Sequence, residues 1–366
     1  MSTQIKPSFQ VRPFLMFFMI HSSQVGVGIL AFSRSIAQEA GYDGWIGVII
    51  AGLITHLSLF FMFRLLNYEH QDLSHIHQFV YGKWLGRLFT FLFIIQFLWS
   101  GLVILREYVR VIQVWMFPSL PTWLPTVIIL TLLYYTISGG FRVMAGMCFF
   151  KFIFASIITL PVFLILGDAH WGTLSLIPTH TMKELWDATK TMSFSYVGFE
   201  TVLVYYPFIQ EGQKSKKYAY LGNAATTLLY LSVAFMCFLF YSEKQLNKVI
   251  WPYLKMSSSL EFSVIQRFEY VFVSVWVLVI IPAVIQYLWS ASRLAKDVFK
   301  VKQKYPLLFF MMVFIVISHF VDNSDELEML GSWNGKVGFY LNYGYIPALF
   351  LVYMLMRKIK RPSSAS

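Results

Sequence analysis

Charge is what this sequence has least of. Only 13% of its 366 residues are Asp, Glu, Lys or Arg, about half the share that covers an ordinary soluble domain. So few charges cannot clothe a soluble surface of this size, which excludes soluble enzymes and secreted scaffolds. Cysteine is nearly absent. Cys148 and Cys237 stand alone in apolar runs, without the paired spacing of a zinc site or a disulfide framework. No stretch reads as a cleavable leader, because the first apolar run continues into chain of the same kind and lacks a small-residue cleavage site. What is present is apolar: 57% hydrophobic and 19% aromatic residues, with a mean hydropathy of +0.62. That is the composition of a polytopic membrane protein. A net charge of +11 would suit a nucleic-acid partner, but the cations fall in short clusters between apolar runs, where they set orientation in a bilayer. Membrane lipid, and no nucleic acid, is the expected surrounding.

A hydrocarbon core takes roughly 20 residues of helix to cross. Ten stretches of that length can be placed, at 12–33, 44–66, 84–105, 121–138, 143–166, 187–209, 218–241, 267–291, 306–321 and 338–356, forming a single membrane domain over 1–366. With both termini cytoplasmic, the inside segments carry 19 of the 29 Lys and Arg residues, among them Arg142, Lys214, Lys216, Lys217, Lys300, Lys302, Lys304, Arg357 and Arg361. The outside segments carry most of the acids, including Asp322, Asp325, Glu326 and Glu328. This alternation is the expected positive-inside bias and supports the ten spans. Most joining loops are too short for a soluble catalytic domain. The longer ones are 67–83 inside and 242–266 outside. The latter, with Trp251-Pro252 and Ser257-Ser258-Ser259, fits a short helix lying as a lid over the outer mouth or a plain surface loop equally well.

Two segments are irregular. In the first, His21-Ser22-Ser23-Gln24 precedes Val25-Gly26-Val27-Gly28-Ile29-Leu30. Glycines and polar groups in mid-bilayer weaken a helix and free backbone groups that lipid cannot satisfy, so the helix is expected to unwind there and line a cavity. The sixth repeats the pattern with Ser193-Phe194-Ser195-Tyr196-Val197-Gly198-Phe199-Glu200. Segments one and six are five apart, which divides the chain into five-helix halves, 12–166 and 187–356. An odd number of helices per half inverts one half relative to the other, the plan of transporters that bind at the midplane between two discontinuous helices. The half-helix starting near Gly28 would present free N–H groups and its positive dipole end to an anion such as an amino-acid carboxylate. Carbonyls near Tyr196 to Phe199 would accept an ammonium. Close helix packing through small residues is the alternative explanation of the first break taken alone, and recurrence at the matching point of the second half weighs against it.

With these breaks, ten helices and this length, the chain resembles the spore germinant receptor B subunits, the endospore germination permease family of the amino acid/polyamine/organocation transporter superfamily. The resemblance spans essentially the whole chain. It implies an all-α membrane protein with the five-plus-five inverted-repeat (LeuT-like) fold and a sensing role. A small germinant, often an amino acid, would bind in the mid-membrane cavity. A larger membrane A subunit and a lipoprotein C subunit would complete the receptor in the spore inner membrane. No enzyme, cofactor or metal is implied. A proton-coupled amino-acid permease of the same fold is the alternative; a membrane acyltransferase would need His or acid groups converging at one face, and here the histidines are scattered.

The expected substrate-binding residues are Val25, Gly26, Val27, Gly28, Phe97, Gly101, Tyr196, Gly198, Phe199, Glu200 and Gln286. Glu200 is the acid placed within the membrane core, at an insertion cost of roughly 2.5–3.5 kcal/mol that calls for a partner. It would steady the unwound sixth helix, meet a cationic group, or simply bond backbone N–H groups at the break. Lys151, about two turns into the fifth helix, would snorkel to the inner interface or, as in some transporters resembling this fold, put its ammonium where relatives bind sodium between the first and eighth helices. Gln96, Phe97, Ser100 and Gly101 share one side of the third helix, an aromatic wall beside open volume. Pro282 and Gln286 mark a kink and a buried amide on the eighth. His70, His75 and His77 do not have metal-site spacing. Gly331-Ser332-Trp333-Asn334-Gly335-Lys336 lacks the Ser or Thr of a phosphate loop.

Overall fold

Helix is the form in which a chain this apolar can hydrogen-bond its own backbone without water, and helix is nearly all that forms. The computed structural model describes residues 5–69, 71–168, 177–260, 267–321 and 323–360; His70, Asp322 and Arg361, to which the sequence assigned places, lie outside them. The elements are α1 (Leu15–Gln24), α2 (Phe32–Ala40), α3 (Gly44–Glu69), α4 (Leu73–Trp115), α5 (Trp123–Ser138), α6 (Phe141–Thr159), α7 (Met182–Ser195), α8 (Val202–Tyr205), α9 (Gly212–Phe240), α10 (Glu243–Leu246), α11 (Pro252–Ser257), α12 (Phe268–Phe299), α13 (Lys304–Phe320), α14 (Ser324–Phe339) and α15 (Ile346–Lys360). Among the described residues six stretches are long and apolar enough to cross a membrane, from Phe32–Tyr68 to Asp325–Lys360, and α5 and α13 are shorter apolar helices.

The first and sixth segments are each split, α1 from α2 and α7 from α8, by short 3-10 turns. α12 forms the centre: 72% of its apolar window is buried, against 22% for Asp325–Lys360. It passes through Pro282 as one helix and packs along α4 and α6. Leu132, Leu164, Phe309 and Leu351 are exposed, as lipid-facing positions should be.

The third helix begins at Leu73, earlier than the sequence suggested. Asp72 caps it by accepting the His75 N–H at 3.2 Å, and Gly82, at φ +80°, separates an initial helix in the expected 67–83 loop from the long span. Leu73, Ile76 and Val80 of that initial helix are buried, and this apolar stripe is why it folds against the bundle. The tenth segment also starts early, at Ser324, and carries a π-turn at Tyr340–Tyr345. The Gly331–Lys336 stretch is helical within α14 rather than a loop.

At the N-terminal end, Val11 pairs with Ile209 in a parallel bridge. The Val11 N–H donates to Phe208 O and the Gln210 N–H to Val11 O, both at 2.9 Å, so the entrance of the first segment is tied to the end of the sixth.

Candidate functional site

The two breaks meet. α1 stops at Gln24, Val25 is extended, and a 3-10 turn over Val27–Leu30 leads into α2. α7 stops at Ser195 and the chain turns at Gly198, whose φ of +130° favours glycine. A Cβ on Gly198 would lie 2.2 Å from Ser23 O. The sixth break is therefore pressed directly on the backbone of the first.

Each break frees backbone groups, and each is satisfied differently. At the first, Lys151 of α6 donates from Nζ to the carbonyls of Ser22, at 2.5 Å, and Val25. The side chain is 1% exposed, so it turns into the bundle rather than out to the interface. Ser22 Oγ donates to Cys148 O at 3.1 Å, joining the same two helices. At the sixth, the free Gly198 N–H donates to Glu200 Oε2 at 2.7 Å. Glu200 also accepts from Tyr287 of α12 and from Asn342 in the π-turn, both at 3.2 Å. Those three donors are the partners that an intramembrane carboxylate requires.

Open space occurs beside the first break. Gly26 is half-buried and Gly28 exposed, while Ser22, Ser23, Gln24, Val25, Ile29 and Leu30 around them are buried. A Cβ on Gly26 would meet nothing within 4 Å, and one on Gly28 would meet Ser195 Oγ at 3.7 Å. Ser195 and Val197 are themselves only half-buried. Exposed main chain in the middle of a membrane bundle is the expected form of a small-molecule site, with polar backbone on one side and apolar side chains around it.

The other candidates lie around this centre. Phe199 is buried 6.3 Å from the Tyr343 ring. Tyr196 points to the seventh helix, its hydroxyl donating to Thr227 Oγ1 at 2.9 Å. Phe97 is buried with its ring 5.9 Å from Tyr287. Gly101 does not border open volume: a Cβ there would meet Phe314 at 3.3 Å and Tyr287 at 3.4 Å, so α4 uses this glycine to pack closely on α12 and α13. Gln96 and Ser100 both donate to Asn334 Oδ1 at 2.9 Å, holding α4 to α14. Gln286 is buried, its amide nitrogen 3.6 Å from Cys148 Sγ and its carbonyl oxygen without a hydrogen-bond partner.

Sequence reasoning placed the seventh segment, α9, but named no site residue on it. Tyr230 places its hydroxyl 2.9 Å from the Gln24 carbonyl and 3.1 Å from that of Ser195, so it bridges the ends of both broken helices. Asn223 accepts from Gln24 Nε2 at 2.7 Å and donates to Gly52 O at 3.0 Å. An intramembrane Asn is the signal that could have found Asn223 and Asn342; a tyrosine among 21 gives none. Above the first break, α11 is buried through Tyr253, Leu254 and Met256 and packs on the 3-10 turn, α2, α9 and α12.

Residues 10–327 match the family described as spore germination protein. The chain belongs to that family. The spore germination protein GerQB of Bacillus cereus is 38% identical over 98% of this chain and 99% of its own length, and YndE of Bacillus subtilis (strain 168) is 23% identical over 93% and 95%. Both relatives are matched over nearly their whole length, and with its several long apolar helices the chain is a multi-pass membrane protein of this family. Among solved structures, a Na+-coupled sialic acid symporter in a substrate-bound outward-open state aligns with a TM-score of 0.62 at 11% identity, covering 97% of this chain and 79% of the symporter. The germination protein therefore has the fold of a membrane transporter.

Proposed function

We propose that this chain is the ligand-binding membrane subunit of a spore germinant receptor, holding a small molecule, of the amino-acid class, against the first helix break. The observation that carries this reading is the half-buried Gly26 beside open space and the exposed Gly28 facing the Ser195 end of α7. A carboxylate there meets the free N–H groups and dipole of the turn leading into α2. The chain crosses the membrane ten times as two inverted five-helix halves, 12–166 and 187–356, with both termini in the cytoplasm and the receptor A and C subunits beside it in the spore inner membrane. Lys151 takes the part of a bound sodium ion at the first break. The buried α11 closes the outer mouth. Binding signals because the ligand favours one gate state over another; without that difference in affinity it could shift nothing.

A permease of the same fold is the second reading, favoured by the symporter's fold. The test combines germination of spores lacking this chain, scored on a panel of amino acids, sugars and nucleosides, with uptake of the same compounds into vesicles containing the protein alone. Loss of response to one compound without uptake supports the receptor and names the germinant. Robust uptake with normal germination establishes the permease instead.

A further inference from the structure

Away from the breaks, a second pocket of about 290 Å³ opens at the end of the bundle that bears the N-terminal segment. Its walls come from five separate places: Phe9 before α1, Tyr134 and Ile137 at the end of α5, Phe208 at the end of the sixth segment, Trp289 and Arg293 on α12, and Gln303 to Leu307 entering α13. The elbow between α5 and α6 shapes one wall. Gly140 there has φ +86°, and a Cβ on it would meet nothing within 4 Å.

The pocket has two chemical parts. One is cationic: Arg293 lies with its Cζ 5.2 Å from the Phe208 ring centroid, and its buried Nε makes no hydrogen bond. Lys304 reaches the same pocket from an exposed position. Asp297 stands 3.9 Å from Arg293 Nε, and Asp72 is a second carboxylate near enough to interact with Arg293, while Lys300 and Lys302 precede Lys304 in the sequence at the entry to α13. The other part is apolar and faces outward. Phe9 and Tyr134 are exposed, as are Leu132 and Leu308 on the neighbouring surfaces of α5 and α13. A cationic recess in a wall of exposed apolar helix, at the level where the Lys and Arg clusters mark a membrane surface, matches a lipid with a negative headgroup. A soluble anion would leave the apolar wall unused.

We propose that this pocket binds an anionic phospholipid, with its phosphate on Arg293 and Lys304 and its chains along α5 and α13. Because Phe9 and Phe208 belong to the segments joined by the Val11–Ile209 bridge, an occupant also fastens the inner ends of the first and sixth segments to α5, α12 and α13. Lipid composition then bears on how readily that end opens.

Trp289 gives a direct readout. The full-length protein is placed in bilayers containing either phosphatidylglycerol or phosphatidylcholine with brominated chains, and quenching of Trp289 is taken as the difference from Trp289→Phe. Phosphatidylglycerol is expected to quench more strongly. Lys304→Gln and Arg293→Gln are each expected to cut that preference on the order of fivefold, the factor for losing one surface cation. Lys304 is exposed, so its variant stands even if Arg293→Gln fails to fold. Equal quenching by the two lipids, or a preference that survives Lys304→Gln, overturns the proposal. So does thermal stabilisation by soluble glycerol phosphate equal to that by the lipid, which would make this a site for a free anion.

Discussion

The first and sixth segments break at matching points, yet the two breaks are opposites in how they are held. At the sixth, the chain supplies its own counter-group: Glu200, two residues on, accepts the Gly198 N–H and is anchored by Tyr287 and Asn342. At the first, the freed carbonyls of Ser22 and Val25 depend on Lys151 from another helix, and Gly26 beyond them faces open space. One break is closed on itself; the other is held from outside and left accessible. Their common origin in glycine and polar residues thus hides a difference in support, with the sixth segment held by its own acid and the first, on the function proposed above, the side that would meet a ligand.

The largest effect is expected from Gly198→Ala. Its Cβ would meet Ser23 O at 2.2 Å in a backbone region that alanine avoids, and strain of this kind costs about 1–3 kcal/mol before the clash is added. Loss of folded protein, seen as reduced yield and a lower melting temperature, is the expected result. Normal stability would show that the breaks are not pressed together. Lys151→Met comes next. It leaves two buried carbonyls without a donor, at about 1–3 kcal/mol each, and is expected to abolish the germinant response while sodium removal leaves the wild type unaffected. If germination were unimpaired in Lys151→Met spores, the ammonium would not be what holds the first break.

Glu200→Gln keeps one acceptor oxygen, which can stay on the Gly198 N–H and Asn342 that share Oε2, but replaces the other, the acceptor of the Tyr287 hydroxyl, with an NH2 donor. A loss of about 1–2 kcal/mol in thermal stability is expected, with assembly retained. An unchanged ligand response in such spores would mean the carboxylate's charge has no part in sensing. Gly28→Ala should have the smallest effect on stability, within about 0.5 kcal/mol, since its Cβ would meet Ser195 Oγ at an ordinary contact distance of 3.7 Å. It should nevertheless shift the germinant dose–response. An unaltered response would place the ligand elsewhere and remove the contrast between the two breaks.

Both breaks were legible because glycine and hydroxyl residues stand out in an apolar run. Lys151 was visible as a cation too deep in its helix, though whether it turned inward or outward depended on where the first segment unwinds. Gly101 misled because a glycine beside an aromatic reads alike whether it makes room for a ligand or for Phe314. The π-turn that brings Asn342 to Glu200 leaves no mark in the hydrophobic pattern, since one extra residue in a turn does not interrupt an apolar stretch. The helix at Leu73 was hidden by its position in a polar loop.

Tyr230 has a single hydroxyl proton and two carbonyls within its reach, one at each break. The proton cannot serve both fully. A closer approach by Gln24 weakens the hold on Ser195, and the reverse, so the two ends compete for one hydrogen. A movement of a few tenths of an ångström at the first segment is thereby registered at the sixth, nearly half the sequence away, through an atom that belongs to neither.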